Sequence, residues 1–227
     1  MLIEIRELLS PEEVRSVRGI VEAANWIDGR VTAGEIAARA KRNLQLPEDG
    51  PEARQAGDLI LRALGRNALF NSAALPLRVL PPLFNRYDMG MRFDPHVDGA
   101  VRSVPGIGIR MRADLSSTLF LTPPEDYDGG ELVVEDSYGA HTIKLPAGSM
   151  VLYPAGSLHR VNEITRGARW SSFFWTQSMI KDEVLRTLLY DLDRGIIGVR
   201  RSLHADAEGV LALTGVYHNL LRRFAEL

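Results

Sequence analysis

The chain contains no cysteine. Disulfide scaffolds, zinc ribbons, iron–sulfur clusters, haem thiolates and cysteine nucleophiles are therefore excluded together. Any transition metal must be held by imidazole and carboxylate, and there are only five histidines to search. An excess of one charge is missing too. Lys and Arg number 27 against 29 Asp and Glu, a formal net charge of −2 over 227 residues. Nothing global draws such a chain to nucleic acid or to an anionic membrane. No apolar run approaches the roughly 18 residues of a membrane span. The start, Met1-Leu2-Ile3-Glu4-Ile5-Arg6, lacks the basic-then-apolar layout of a secretion signal. A cytoplasmic protein with no nucleic-acid and no membrane partner is expected. Internal repeats, low-complexity tracts and Ser/Gly linkers are also lacking. The length suits one large domain, since about 100–200 residues per domain is the usual range.

What is present is helical at both ends and β in the middle. Ser10-Pro11-Glu12-Glu13 is a helix start: Ser10 caps, Pro11 fits the first helical position and Glu13 completes a capping box. Val14, Val17, Ile20 and Val21 follow at helical spacing, and the helix should end before Asp28-Gly29. A second helix is expected over 52–66. From about Leu69 the segments become short and rich in β-branched and aromatic residues. Strands are expected at 77–87, 116–121, 130–134, 141–145, 150–153 and 170–177. Turn signals separate them at Asp128-Gly129-Gly130, Tyr138-Gly139 and Pro146-Ala147-Gly148. Helices return at 183–192 and 207–224. The expected class is α+β with a mainly β core, a sandwich, jelly roll or barrel flanked by N-terminal and C-terminal helices. Residues 1–179 would form the main domain and 180–227 a helical extension.

His96-Val97-Asp98 is the first candidate for chemistry. On a strand, residues i and i+2 share a face, so one imidazole and one carboxylate can converge. A distant histidine would complete a two-His-one-carboxylate triad, which holds three sites of an octahedral Fe(II) and leaves three open. His159, after a Pro154-Ala155-Gly156 turn, is the natural third ligand at a rim position. An isolated His-x-Asp is common by chance. Arg169-Trp170-Ser171 raises its weight. A guanidinium grips a carboxylate bidentately, and a hydroxyl two residues on lies on the same strand face. A dicarboxylate that chelates a metal at one end needs such an anchor at the other.

Together His96-x-Asp98, His159 and Arg169-x-Ser171 resemble the signature of the Fe(II)/2-oxoglutarate-dependent dioxygenases. Within that superfamily the chain resembles the bacterial PKHD-type hydroxylases, relatives of the prolyl and lysyl hydroxylase catalytic domain. The closer match is carried by Asn85-Arg86-Tyr87, Gly90-Met91, Asp114-Leu115-Ser116 and Thr118-Leu119-Phe120-Leu121. It continues through Tyr127-Asp128-Gly129-Gly130-Glu131-Leu132, Leu145-Pro146-Ala147-Gly148, Tyr153-Pro154, Ser157-Leu158-His159-Arg160-Val161, Thr165-Arg166-Gly167 and Phe174-Trp175-Thr176-Gln177-Ser178. Tyr217-His218-Asn219-Leu220 also fits, so the resemblance spans essentially the whole chain. The departures are Asp94-Pro95 before the first ligand, Gly99 where Asn is expected, and Ser149 where an acidic residue is common.

The resemblance implies a double-stranded β-helix with His96, Asp98 and His159 as both the metal ligands and the catalytic centre. It implies that 2-oxoglutarate chelates Fe(II) through its 1-carboxylate and 2-keto oxygens, with its 5-carboxylate on Arg169 assisted by Ser171. Tyr87 is a further candidate contact for that carboxylate, with core packing as the competing reading. Dioxygen would be consumed, succinate and carbon dioxide released, and an unactivated C–H bond hydroxylated. L-ascorbate is a candidate reductant. Related halogenases lose the carboxylate, so Asp98 favours hydroxylation. The substrate is a small molecule or a peptide, and similar proteins are linked to bacterial iron uptake. The helical flanks also suggest a homodimer.

The blander readings are these. His141 is assigned to the surface or to a position supporting the ligands, His204 to a helix junction, and His218 to packing or an interface. Arg222-Arg223 suits a helix C-terminus. Arg102, Arg110 and Arg112 are read as a solvated loop, with a substrate loop for an anionic or polar ligand as the alternative. Two other functions stay open: a jelly-roll metal enzyme using Fe or Mn without 2-oxoglutarate, and a non-catalytic metal or 2-oxoglutarate sensor.

Overall fold

The computed structural model describes residues 1–32, 40–103, 108, 110–202 and 208–227. Helix α1, Pro11–Glu22, starts with the expected capping box. The Ser10 hydroxyl accepts the Glu13 N–H at 3.2 Å, and the Glu13 carboxylate accepts the Ser10 N–H at 2.9 Å. Helix α2, Pro51–Arg66, follows, then a short helix α3, Ala68–Ala74, that the residue pattern did not suggest. Asn67 serves both: it ends α2 and caps α3 through Phe70 N–H.

The strands in chain order are β1 Ile3–Ile5, β2 Ile27–Asp28, β3 Lys41–Arg42, β4 Leu44–Gln45, β5 Pro76–Val79, β6 Leu83–Tyr87, β7 Arg92–His96, β8 Val101–Ser103 and β9 Arg110–Arg112. They continue as β10 Leu115–Phe120, β11 Asp128–Gly129, β12 Leu132–Asp136, β13 Gly139–Ile143, β14 Met150–Pro154, β15 Leu158–Val161, β16 Ile164–Arg166 and β17 Arg169–Ser178. Among the described residues the larger sheet runs β1-β14-β10-β17-β6-β4-β2, with β5 also paired to β17. The smaller runs β13-β12-β15-β7-β3. Neighbouring strands in both are antiparallel.

Alternation along β17 explains the layers. Trp170 and Phe174 point outward and join Leu115, Leu119, Met150 and Leu152 in a core shared with α1 and α2. Burying one such side chain contributes roughly 1.5–3 kcal/mol. On the other face, Tyr87, Phe120, Val151 and Tyr153 of the larger sheet meet Leu132, Val134, Ile143 and Val161 of the smaller one. The functional side chains lie on this inner face.

Several expectations are revised. The single strand expected over 77–87 is two strands, because Pro81-Pro82 removes two backbone donors and breaks the ladder. The hairpin of β12 and β13 pairs Asp136 with Gly139, which shifts both strands by two residues from the expected bounds. β7 and β15, short and mixed in polarity, are additional. Helix α4, Glu183–Ser202, outruns its expected end at 192; it passes through Gly195 to bury Ile196. Helix α5 covers Glu208–Phe224, and position 207 lies outside the described residues. Leu189 of α4 and Tyr217, Leu220 and Leu221 of α5 pack with Leu75 and Ile180, and Val184, Leu188, Leu211 and Val216 stay exposed. No helix among the described residues is long and apolar enough to cross a membrane.

Candidate active site

His96 and His159 face each other directly across β7 and β15. Cross-strand partners share a face, so register alone brings the rings together. Their centroids lie 4.2 Å apart. Each ring is oriented by its own backbone: His96 Nδ1 meets Asp94 O at 2.9 Å, and His159 Nδ1 meets Ser157 O at 3.0 Å. A carbonyl only accepts, so Nδ1 carries the proton and Nε2 keeps a free lone pair. Burial first, and then the neighbouring His159, press the His96 imidazole down to about 4, so it is neutral at physiological pH. Phe93 stacks on His96 at 3.5 Å and fixes its plane.

Asp98 does not share a strand with His96, contrary to the i, i+2 argument. β7 ends at His96, and the chain then leaves the smaller sheet through residues 97–100 on its way to β8. Within that segment the Asp98 carboxylate accepts Ser116 Oγ–H at 2.6 Å and Trp175 Nε1–H at 2.9 Å. Those two donors, from β10 and β17, place the carboxylate where strand geometry does not. His159 Nε2 lies 3.8 Å from Asp98 Oδ2. Ligand atoms of His96, Asp98 and His159 all fall within 4.8 Å of one another, the donor set of a divalent transition-metal site with open positions. His159 sits within β15 and is buried, rather than on a rim as expected.

Arg169 lies on the inner face of β17, opposite Tyr87 on β6. It is only 1% exposed. Its Nη1 donates to Ser171 Oγ at 2.7 Å, and Ser171 in turn donates to Asn85 Oδ1. Asn85 stands directly across from Ser171. The guanidinium faces the rings of Phe120 at 5.1 Å and Tyr87 at 5.4 Å. Its Nε and Nη2 have no hydrogen-bond partner among the described residues. A buried cation without a counter-ion is costly, so this one is built to receive an anion. Tyr87 is also buried, and desolvation raises its phenol pKa against the opposing pull of Arg169. It remains a neutral wall of the anion pocket. Gly130 packs against the stem of Arg169. With φ at +67°, it has no room for a side chain, since a Cβ would lie 2.3 Å from Ile164 Cδ1 and 3.2 Å from Arg169 Cδ.

Triad and anchor open into one cavity of about 1070 Å³. Its wall adds residues that sequence reasoning did not assign: Asn85, Ser116, Trp175 and Lys41. Asn85, Ser116 and Trp175 stood inside the family-like stretches, but pairing register gives them their roles. Lys41 is 5% exposed, bonds Gln45 Oε1 at 2.5 Å, and is pushed down to about 8 by burial. The three arginines expected in a solvated loop lie on a hairpin of β8 and β9. Arg110 is exposed, Arg112 bonds Asp114, Glu226 and the Ser178 carbonyl, and Arg102 lines the cavity. His141 is exposed and paired with Asp136 at 2.9 Å. His218 is exposed beside Tyr217. His204 lies outside the described residues.

This combination of fold and site is that of a metal-dependent oxygenase using 2-oxoglutarate. Residues 82–177 match the family model of the 2OG-Fe(II) oxygenase superfamily, and residues 184–226 match that of the PKHD-type hydroxylase C-terminal domain. A PKHD-type hydroxylase of Methylobacterium nodulans is 64% identical over 227 residues, covering 100% of both chains. The chain belongs to the PKHD-type hydroxylases and is a 2-oxoglutarate-dependent hydroxylase. Two solved structures share its fold. The viral collagen prolyl hydroxylase of Paramecium bursaria Chlorella virus-1, in complex with 2-oxoglutarate, has a TM-score of 0.55 at 15% identity, covering 78% of this chain and 96% of its own. HygX from Streptomyces hygroscopicus, with nickel, 2-oxoglutarate and hygromycin B bound, has a TM-score of 0.54 at 15% identity, covering 79% and 84%.

Proposed function

We propose that His96, Asp98 and His159 hold Fe(II), and that Arg169, Ser171 and Tyr87 hold 2-oxoglutarate, in a two-sheet core of the double-stranded β-helix type. The observation that carries this reading is Arg169, a buried guanidinium with two unpartnered nitrogens, opening into the same cavity as the triad. Fe(II) with dioxygen and 2-oxoglutarate supplies the oxidising power to hydroxylate an unactivated C–H bond, with release of succinate and carbon dioxide.

The chain's own groups do the rest. The two imidazoles offer Nε2, and Asp98 offers the one carboxylate. Ser116 and Trp175 keep that carboxylate aimed at the site. Arg169 receives the distal carboxylate, while Ser171 and Asn85 hold the guanidinium plane. Tyr87 and Phe120 exclude water from the anchor, which strengthens its grip. The retained Asp98 supports hydroxylation over halogenation. We place this enzyme in the cytoplasm, with a small molecule or a peptide as substrate. The cavity lining does not single out an iron-acquisition metabolite. Release of succinate from 2-oxoglutarate by the Fe(II)-loaded protein tests the reading. Wild type should produce it in the presence of oxygen and His159→Ala should not. Succinate at equal rates from both would refute it.

A further inference from the structure

Resting on that reading, the cavity holds a second guanidinium besides the one assigned to the distal carboxylate of the cosubstrate. Arg102, on β8, lies flat on Trp175 with its Cζ 3.6 Å from the ring centroid. Its Nε is buried and has no hydrogen-bond partner among the described residues. The nearest carboxylate oxygen, Asp98 Oδ1, is 3.9 Å from Nη2, beyond hydrogen-bond length. Trp175 is six residues past Arg169 on the same face of β17, about 20 Å along the strand at the usual rise per residue. Arg169 holds the distal carboxylate at its own end of β17, whereas the Arg102 guanidinium stands at the other end, beside Asp98.

The charges point the same way. A divalent metal, Asp98, doubly negative 2-oxoglutarate and Arg169 cancel one another. The rest of the cavity wall carries Lys41, Arg54 and Arg102 against Glu48 and Asp49. One positive charge is left over, and Arg102 is the member of that set stacked beside the triad. Once a metal draws on Asp98, Arg102 loses its nearest counter-charge. The aromatic shelf holds the guanidinium in one plane, which reduces the ordering cost of a bidentate contact.

We propose that Arg102, laid on Trp175, anchors the substrate, and that the substrate carries a carboxylate that docks on this guanidinium while the C–H bond to be hydroxylated faces the triad. The anchor selects among substrates by charge, independently of Arg169.

The test uses the full-length protein loaded anaerobically with Fe(II) and 2-oxoglutarate. Calorimetric titration is carried out with a panel of N-acetyl amino acids, each paired with its primary amide. Wild type should bind at least one acid about tenfold or more tightly than its amide, the worth of one charge-assisted hydrogen bond. R102Q should lose that preference, and R102K should keep part of it. A panel in which no acid outbinds its amide overturns the proposal. So does an R102Q protein that keeps the preference but shows altered Fe(II) affinity, since Arg102 would then be only a counter-ion of Asp98. A wild-type protein that binds no 2-oxoglutarate in the loading step overturns both this proposal and the reading it rests on, whereas normal loading with equal acid and amide affinities overturns this proposal alone.

Discussion

The two faces of β17 use the same backbone for opposite ends. Trp170, Ser172, Phe174 and Thr176 point one way, and Trp170 and Phe174 there pack under the helices. Arg169, Ser171, Phe173 and Trp175 point the other way and line the cavity. Both faces are largely buried, so burial alone does not separate them. Satisfaction does. Phe174 is apolar and needs no partner. Arg169 is equally hidden, yet leaves two donors unmet. Thr176 Oγ1 on the helix-facing side also lacks a partner among the described residues, so it is the buried, unmatched charge that marks the working face.

Substitutions on alternate residues break this comparison cleanly. The largest effects come from the pair Arg169→Ala and Phe174→Ala. Arg169→Ala should weaken 2-oxoglutarate binding by about 100-fold or more, since breaking a buried charge pair costs about 3–5 kcal/mol. Iron binding should persist, because no triad contact involves Arg169. Phe174→Ala should lower unfolding stability by about 3–5 kcal/mol and leave 2-oxoglutarate affinity near wild type in the folded fraction. Denaturant unfolding and calorimetry separate the two outcomes. If Phe174→Ala weakened 2-oxoglutarate as much as Arg169→Ala, the two-face account would fail. A smaller effect is expected at Trp175. Phenylalanine there keeps a ring under Arg102 but removes the N–H bonded to Asp98. Fe(II) affinity should drop about 10-fold, the lower end for loss of a hydrogen bond to a metal ligand. Unchanged affinity would mean that Ser116 alone orients the carboxylate.

Much of this division was legible in the sequence. Period-two alternation put Arg169 and Ser171 on one face, and the short motifs picked out His96, Asp98 and His159. The capping box at Ser10 and Glu13 was readable because a helix start is a local event. Pairing register was not, since it joins residues far apart in the chain. Hence Asn85 opposite Ser171, and His159 opposite His96, had no sequence signal of their own. Asp98 is the instructive case. The motif residues converge, but not by the strand argument: the carboxylate reaches the two histidines through Ser116 and Trp175, which a spacing rule cannot contain. Arg102 and Arg112 read as solvated for the same reason. Their stacking and bonding partners, Trp175 and Glu226, lie 73 and 114 positions further along.

The most direct test of the central claim is an anaerobic titration of the metal-free protein with Fe(II) and 2-oxoglutarate, followed by visible absorbance. The account predicts a weak metal-to-ligand band that needs both additions, appears in wild type and is lost in Asp98→Ala. No band in wild type, or an equal band in Asp98→Ala, would contradict it.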